Sequence, residues 1–152
     1  MKACNIFKTE SEYKIVTQSM TEDGFLLSVL PAFVIGVDCS NDELRELIVK
    51  SLNSSQANIK TPKRDDYPIL QKQVLQAINE KSYSALYKKT NSCDIRLENN
   101  TLSIFPEKLF TLGKPSDGLT IVKEEKVEFN EFSELTENII NTIREKLNIQ
   151  FR

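Results

Sequence analysis

Hydrophobic and polar residues alternate with a period of two in the first third of the chain. This alternation predicts β-strands at residues 5–8 and 13–19, followed by an apolar run that starts at residue 25. Pro31 interrupts that run and has no amide hydrogen to donate to a ladder, so we expect separate strands at 25–30 and 33–38. The pattern therefore predicts an antiparallel meander.

The period changes to about 3.6 after residue 38. Leu44, Ile48 and Leu52 lie on one stripe of a helix, with Leu47 beside them. The sequence Ser-Asn-Asp-Glu at 40–43 has the form of a capping box, in which the serine hydroxyl and the glutamate carboxylate each accept from a free backbone amide. We therefore expect a helix that begins just after Ser40.

Further elements follow in the second half of the chain. Helical spacing or a capping serine predicts helices at 67–79, from Ser82 to Tyr87 and at about 131–148, and alternation predicts strands at 94–98, 101–105, 119–122 and 126–129. Asn99 and Asn100 tolerate the left-handed backbone of a tight hairpin, and residues 106–118 are expected to form an irregular loop.

These elements predict an α+β fold, a mostly antiparallel sheet with helices packed on one face. Glu43-Leu44 and Glu134-Leu135 stand 91 residues apart at the start of two predicted helices, each preceded by a strand. They are interpreted either as a pair of strand-to-helix half-units or as two independent helix starts with the same chemistry.

Composition narrows the class of protein. With 152 residues, 39% hydrophobic and 28% charged, the chain is typical of one globular domain, which we expect to span 1–152. It has no histidine, which excludes His-based nucleophilic catalysis and His-ligated zinc. Its three cysteines are far apart in sequence and form no C-x-x-C pair, and no apolar leader precedes Glu10. We therefore expect a cytoplasmic protein with free thiols.

Chemical motifs are scarce. The chain has four glycines and no glycine-rich phosphate loop, so we expect no cofactor, no metal and no catalytic residue. A pair of carboxylates acting as acid and base stays open, because sequence spacing alone cannot locate such a pair.

Charge is distributed unevenly. The whole chain carries −2, whereas residues 117–137 contain seven acidic residues and two lysines, for a local charge of −5. Glu131 and Glu134 are explained by a helix dipole, but no dipole explains the acids before them. We predict a partner-binding surface in which carboxylates set specificity and aromatic residues act as anchors. Its candidate residues are Asp117, Glu124, Glu125, Glu128, Tyr67 and Phe110.

A second charged segment supports an alternative function. Lys81, Lys88 and Lys89 are interleaved with Tyr83 and Tyr87, a combination that single-stranded nucleic-acid-binding modules use for backbone contact and base stacking. The acidic pI near 5.4 opposes this alternative, and a solvated helix face also explains the segment.

The order of several short motifs resembles a known family. They are V-D-x-S-x-x-E-L at 37–44, L-N-S-S at 52–55, a Pro- and Asp-containing linker at 62–66, K-S-Y-x-x-L at 81–86, I-F-P at 104–106 and a closing Glu-Leu helix. Together they are similar to the contact-dependent growth-inhibition immunity proteins of bacteria. The resemblance implies a small cytoplasmic protein that binds the C-terminal toxin domain of a large exported effector, often a nuclease, and neutralises it.

Overall fold

The computed structural model describes residues 1–150. Its central element is a seven-stranded antiparallel sheet. Its strands are β1 Lys2–Lys8, β2 Glu12–Met20, β3 Leu26–Gly36, β4 Asn91–Glu98, β5 Thr101–Leu109, β6 Leu119–Ile121 and β7 Val127–Phe129. The order across the sheet is β3-β2-β1-β4-β5, and both β6 and β7 pair with the outer edge of β5. All of these pairs are antiparallel.

Four helices pack on the sheet, which confirms the predicted α+β class. They are α1 Asn41–Ser54, α2 Tyr67–Ala77, α3 Tyr83–Lys89 and α4 Glu137–Leu147. The expectation that all helices lie on one face is corrected. Ile6 of β1 packs with α1 and α4, while its neighbour Phe7 packs with residues of α2 and α3. Because successive strand residues point to opposite faces, these two clusters cover both sides of the sheet.

The larger core cluster lies under α1 and α4. Leu44, Ile48 and Leu52 of α1 are buried there, as the sequence stripe predicted. Ser40 and Glu43 form the predicted capping box: the Ser40 hydroxyl accepts from the Glu43 amide, and the Glu43 carboxylate accepts from the Ser40 amide. This backbone bond, followed by the hydroxyl bond, lowers the pKa of the Glu43 carboxyl.

Pro31 does not divide the third strand, so the predicted break between 25–30 and 33–38 is wrong. Val16 pairs with Ala32 and Thr17 pairs with Val29, which leaves Leu30 and Pro31 as extra residues in a bulge of β3. A bulge on an edge strand accommodates proline because no ladder amide is required there.

The predicted loop at 106–118 also begins too early. Pro106 pairs with Cys93 in the middle of β5, and that strand continues to Leu109 before the irregular segment starts. Pairing with β4 on one side and with β6 on the other keeps these residues extended. Turn-forming residues in the sequence are therefore overridden here by the sheet.

The last helix begins later than predicted. Thr136 is its N-cap, with a side chain that accepts from the Ile139 amide, and Glu131 has a positive φ of 53°. Glu134 and Leu135 therefore precede α4, whereas Glu43 and Leu44 lie within α1. The two strand-to-helix passages exist, but their Glu-Leu pairs are not structurally equivalent.

Candidate protein-interaction site

The outer edge of the sheet is formed by two short strands with an outward turn between them. β6 pairs with residues 107–109 of β5, and β7 pairs with residues 102–104. Between β6 and β7, the Val122 amide donates to the Pro106 carbonyl over 2.7 Å, and residues Lys123–Glu125 form a 3₁₀ turn. β6 and β7 therefore form one interrupted edge strand. The turn between them exposes acidic side chains to solvent. It also prevents a further strand from pairing along this edge.

The acidic residues of this edge are exposed and only partly neutralised. Glu125 faces Lys146 of α4 at 3.6 Å, and Glu128 forms an ion pair with Lys126. Among residues 1–150, neither Asp117 nor Glu124 forms an ion pair. Exposed carboxylates without internal partners are available to an external cationic surface.

Two large apolar side chains extend from the adjoining loop at 110–118. Phe110 is 69% exposed and Leu112 is 72% exposed. The Phe110 amide donates to the Gly118 carbonyl over 2.9 Å, which closes the loop at its base. Gly113 and Gly118 have φ of 76° and 85°, a conformation that favours glycine and fixes the path of the loop. Apolar residues held out in this way are typical of protein-binding surfaces.

The structure brings five of the six predicted partner-binding residues to this edge, which we call the outer-edge site. These are Phe110, Asp117, Glu124, Glu125 and Glu128. The sixth, Tyr67, begins α2, which packs on β3 at the opposite edge of the sheet. The binding role of all six stays a prediction.

The residues of the nucleic-acid alternative lie on and beside α3. Tyr83 and Tyr87 are half-buried against the smaller core cluster, with ring centroids 5.8 Å apart, and Tyr87 stacks on Phe7 at 6.0 Å. Lys89 is 2.9 Å from Glu80. The tyrosine rings thus pack on the protein itself, which leaves less of each ring for stacking on bases.

A cavity of about 490 Å³ lies behind the outer-edge site. Its walls come from α3, from β4 and β5, and from the loop at 110–118, and its lining includes Tyr87, Ser92, Glu107, Phe110 and Leu119. Glu107 was not predicted from the sequence as a site residue, and it lies next to a residue that was, Phe110. Polar residues at alternate positions of β4, such as Asp94 and Arg96, were the available signal for a polar floor on this face.

Glu107 has a perturbed carboxyl group. The side-chain amide of Asn5 is assigned the orientation that satisfies both its oxygen and its nitrogen, in which Nδ2 donates to Glu107 Oε1 over 3.2 Å. Burial, followed by the charge of Asp94, raises the pKa of Glu107 to about 8, while Ser92, Arg96 and Asn5 lower it less strongly. A carboxyl with this pKa carries a proton for much of the time at neutral pH.

The polar floor continues toward the outer edge. Asp94 is 4% exposed and its Oδ2 accepts from Arg96 at 3.0 Å. Burial raises the pKa of Asp94, and the Arg96 charge opposes that shift. The guanidinium carbon of Arg96 lies 5.1 Å from the Phe105 ring centroid, and Lys126 Nζ lies 6.0 Å from it. Arg96 and Lys126 thus share the Phe105 ring through cation–π contacts, and Lys126 in turn forms its ion pair with Glu128.

A second cavity, of about 610 Å³, lies on the other face between α1 and the segment before α4. Arg45 borders it and is already engaged, since its Nε donates to the Leu135 carbonyl over 2.6 Å. Within residues 1–150, no group of three or more acidic or cysteine side chains is arranged to hold a metal ion. None of the helices in that range is long and apolar enough to cross a bilayer.

Fold and site together define an α+β protein with a charged, partly apolar edge next to a cavity that has both polar and apolar lining residues. The chain is similar in structure to the protein of unknown function NMB0488 from Neisseria meningitidis, with a TM-score of 0.73 and 18% identity over 99% of this chain and 95% of the other. It is also similar to one chain of the CdiA-CT/CdiI toxin and immunity complex from Yersinia pseudotuberculosis, with a TM-score of 0.68 and 18% identity over 97% and 95%. The sequence matches no family model and no curated protein.

Proposed function

We propose that this protein is a cytoplasmic immunity protein that binds the C-terminal toxin domain of a contact-dependent growth-inhibition effector, a nuclease, and neutralises it. The observation that carries the proposal is the structural similarity, over nearly the whole chain, to a chain of a toxin and immunity complex. The sequence motifs that resemble growth-inhibition immunity proteins support the same assignment.

The outer-edge site supplies a physical basis for inhibition. A nuclease binds phosphates through a basic surface, and the exposed carboxylates of Asp117 and Glu124 carry the same sign of charge as those phosphates. Complementary charge accelerates encounter and rejects partners of the wrong sign. Inhibition of this kind requires a stable complex and no bond-making step by the immunity protein.

Phe110 is the apolar anchor of this proposal. Interfaces derive most of their binding energy from a few large side chains that become fully buried. A standard interface buries roughly 800 Å² on each partner, a small part of the 8459 Å² surface of this chain.

The decisive experiment is co-expression with the candidate toxin. If the gene lies directly downstream of a long exported effector, the C-terminal domain of that effector should stop growth, and this chain should restore it. The purified pair should form a complex without turnover of any small-molecule substrate. Persistent growth arrest together with the absence of a complex would refute the proposal.

The nucleic-acid alternative makes a different prediction. A module that used Lys81, Lys88 and Lys89 would bind random single-stranded oligonucleotides with an affinity that falls steeply as salt rises. We expect no such binding at physiological salt. A steep salt dependence that disappears when these lysines are changed to glutamine would favour the alternative.

A further inference from the structure

Glu107 is the one carboxyl group among the described residues that line the cavity behind the loop at 110–118, and Lys88 and Lys108 also line it. Asp94 lies on the adjacent strand and is 4% exposed, and the charge of Arg96 acts on both carboxyl groups. Arg96 Nη2 already donates to Asp94 Oδ2 at 3.0 Å. The hydrogen-bonding partners of Glu107 are therefore neutral, the Asn5 amide and the Ser92 hydroxyl.

Among residues 1–150, neither lysine of the lining forms an ion pair with Glu107. Lys88 of α3 is exposed at the rim. Lys108 follows Glu107 in β5, so its side chain leaves the opposite side of that strand. Tyr87 of α3 is neutral, because burial, followed by nearby Tyr83 and Glu107, raises the pKa of its hydroxyl. β6 contributes Leu119, and the described C-terminal segment contributes Gln150.

The cavity walls suit a long side chain with an apolar stem. Leu109, Pro115 and Leu119 supply apolar surface, and Tyr87 supplies an aromatic ring. The volume of about 490 Å³ lies within the range of roughly 300–1,000 Å³ that is usual for ligand sites. Arginine combines an apolar stem with a planar head that stacks on aromatic rings and binds carboxylates through two parallel hydrogen bonds.

We propose that this cavity receives an arginine side chain of the protein partner, whose guanidinium pairs with the Glu107 carboxylate. The inference relies on the proposed function only for the identity of that partner. On binding, the Glu107 carboxyl gives up its proton to solvent and the guanidinium takes its place. Arginine is enriched at the energetic centres of interfaces, and a buried carboxylate that gains a fork of donors is a strong contact.

The direct test uses the whole chain and a small probe, with no toxin present. In ¹³C-carboxyl NMR, N-acetylarginine amide at tens of millimolar should shift the Glu107 resonance and lower its titration midpoint from about 8. Backbone amides of Ser92 and Leu119 should shift with it. Binding releases one proton. The association constant should therefore increase by up to about tenfold for each unit by which the pH is raised toward that midpoint.

Two variants separate a specific site from general charge attraction. Glu107→Gln should remove both the probe binding and its pH dependence. Glu98→Gln changes an exposed carboxylate in the same sheet and should leave both unchanged. Inorganic phosphate, used as the anionic probe, should not perturb the cavity resonances.

The proposal is overturned if the arginine probe leaves the cavity resonances unmoved, if it acts equally well on Glu107→Gln, or if phosphate binds there instead. These results are independent of growth rescue, so either proposal can fail alone. With the toxin domain at hand, calorimetry in two buffers of different ionisation enthalpy should show release of about one proton per complex near neutral pH. The Glu107→Gln complex should show none.

Discussion

Lys14 of β2 and Glu80, which lies between α2 and α3, form a buried ion pair with side chains 3% and 2% exposed. Lys14 Nζ also donates to the Ile78 carbonyl over 2.7 Å, and Lys89 Nζ reaches Glu80 Oε2 at 2.9 Å. Burial raises the pKa of Glu80, but these two lysines outweigh it and hold the pKa below its usual value. The cluster fastens α2 and α3 to the second face of the sheet.

Removing one member of this cluster should be costly. Lys14→Met leaves the Glu80 carboxylate buried with one partially exposed lysine, and should lower the free energy of unfolding by roughly 3–5 kcal/mol. Chemical denaturation measures the effect. Lys50→Met, which breaks an exposed pair with Glu46 at 3.2 Å, is the matched control and should change stability by less than about 0.5 kcal/mol. Equal effects for the two variants would contradict the buried-pair argument.

Glu107 should make stability fall as pH rises. Its folded pKa of about 8 exceeds its usual value of 4.5, so the unfolded chain releases this proton first and is favoured increasingly between those two values. Each unit of pKa difference corresponds to about 1.4 kcal/mol. We therefore expect Glu107→Gln to gain stability relative to the parent across this window, measured by denaturation at several pH values. Parallel pH profiles for the two proteins would show that Glu107 ionises normally.

Charge reversal at the outer-edge site should slow complex formation. Changing Glu124, Glu125 and Glu128 together to lysine replaces attraction by repulsion toward a basic toxin surface, and association should slow by about tenfold or more at low salt. The difference should shrink as salt screens the charges. Stopped-flow measurement is the test.

The matched control for that experiment reverses Glu22, Glu46 and Asp65, three exposed acids away from the outer edge. It produces the same net charge and should have a much smaller effect. If both triple variants associate equally slowly, net charge and not the outer-edge site controls the rate.

Phe110 should contribute to binding and not to stability. Because its side chain is 69% exposed, Phe110→Ala should change the free energy of unfolding by less than about 0.5 kcal/mol. The free energy of binding to the toxin domain should become weaker by about 1–2 kcal/mol or more in this variant, as measured by calorimetry. Phe25→Ala, at a partly exposed aromatic in the β2–β3 turn, should leave affinity unchanged. Tyr67→Ala would show whether the interface also reaches α2.

Local signals in the sequence predicted the strands and helices well where neighbouring residues alone decide the backbone. The capping box at Ser40 and Glu43 formed as expected, and Asn99 and Asn100 adopt positive φ in the hairpin. Where pairing with distant strands competes with local preference, the expectation was wrong. Pro31 stays within a strand because β2 holds the residues on both sides of its bulge.

The candidate site shows the same division. Its acidic residues could be identified from the sequence, because an excess of carboxylates near Glu124 is visible without any structure. The cavity could not, since Asn5, Asp94 and Glu107 belong to three different strands and become neighbours through antiparallel pairing in the order β1-β4-β5. The sequence also led to the expectation that all helices lie on one face, because periodicity does not show which side of the sheet each helix covers.

By itself, then, the sequence determined the α+β class, the position of most elements and the charge of the outer edge, since these depend on periodicity, capping and residue type over short distances. The tertiary structure decided that helices cover both faces, that Phe110 and the acids share one edge, and that Glu107 lies half-buried at the cavity with a raised pKa. Those features arise from strand order, which brings together residues far apart in the chain, and in the case of Glu107 from partial burial as well.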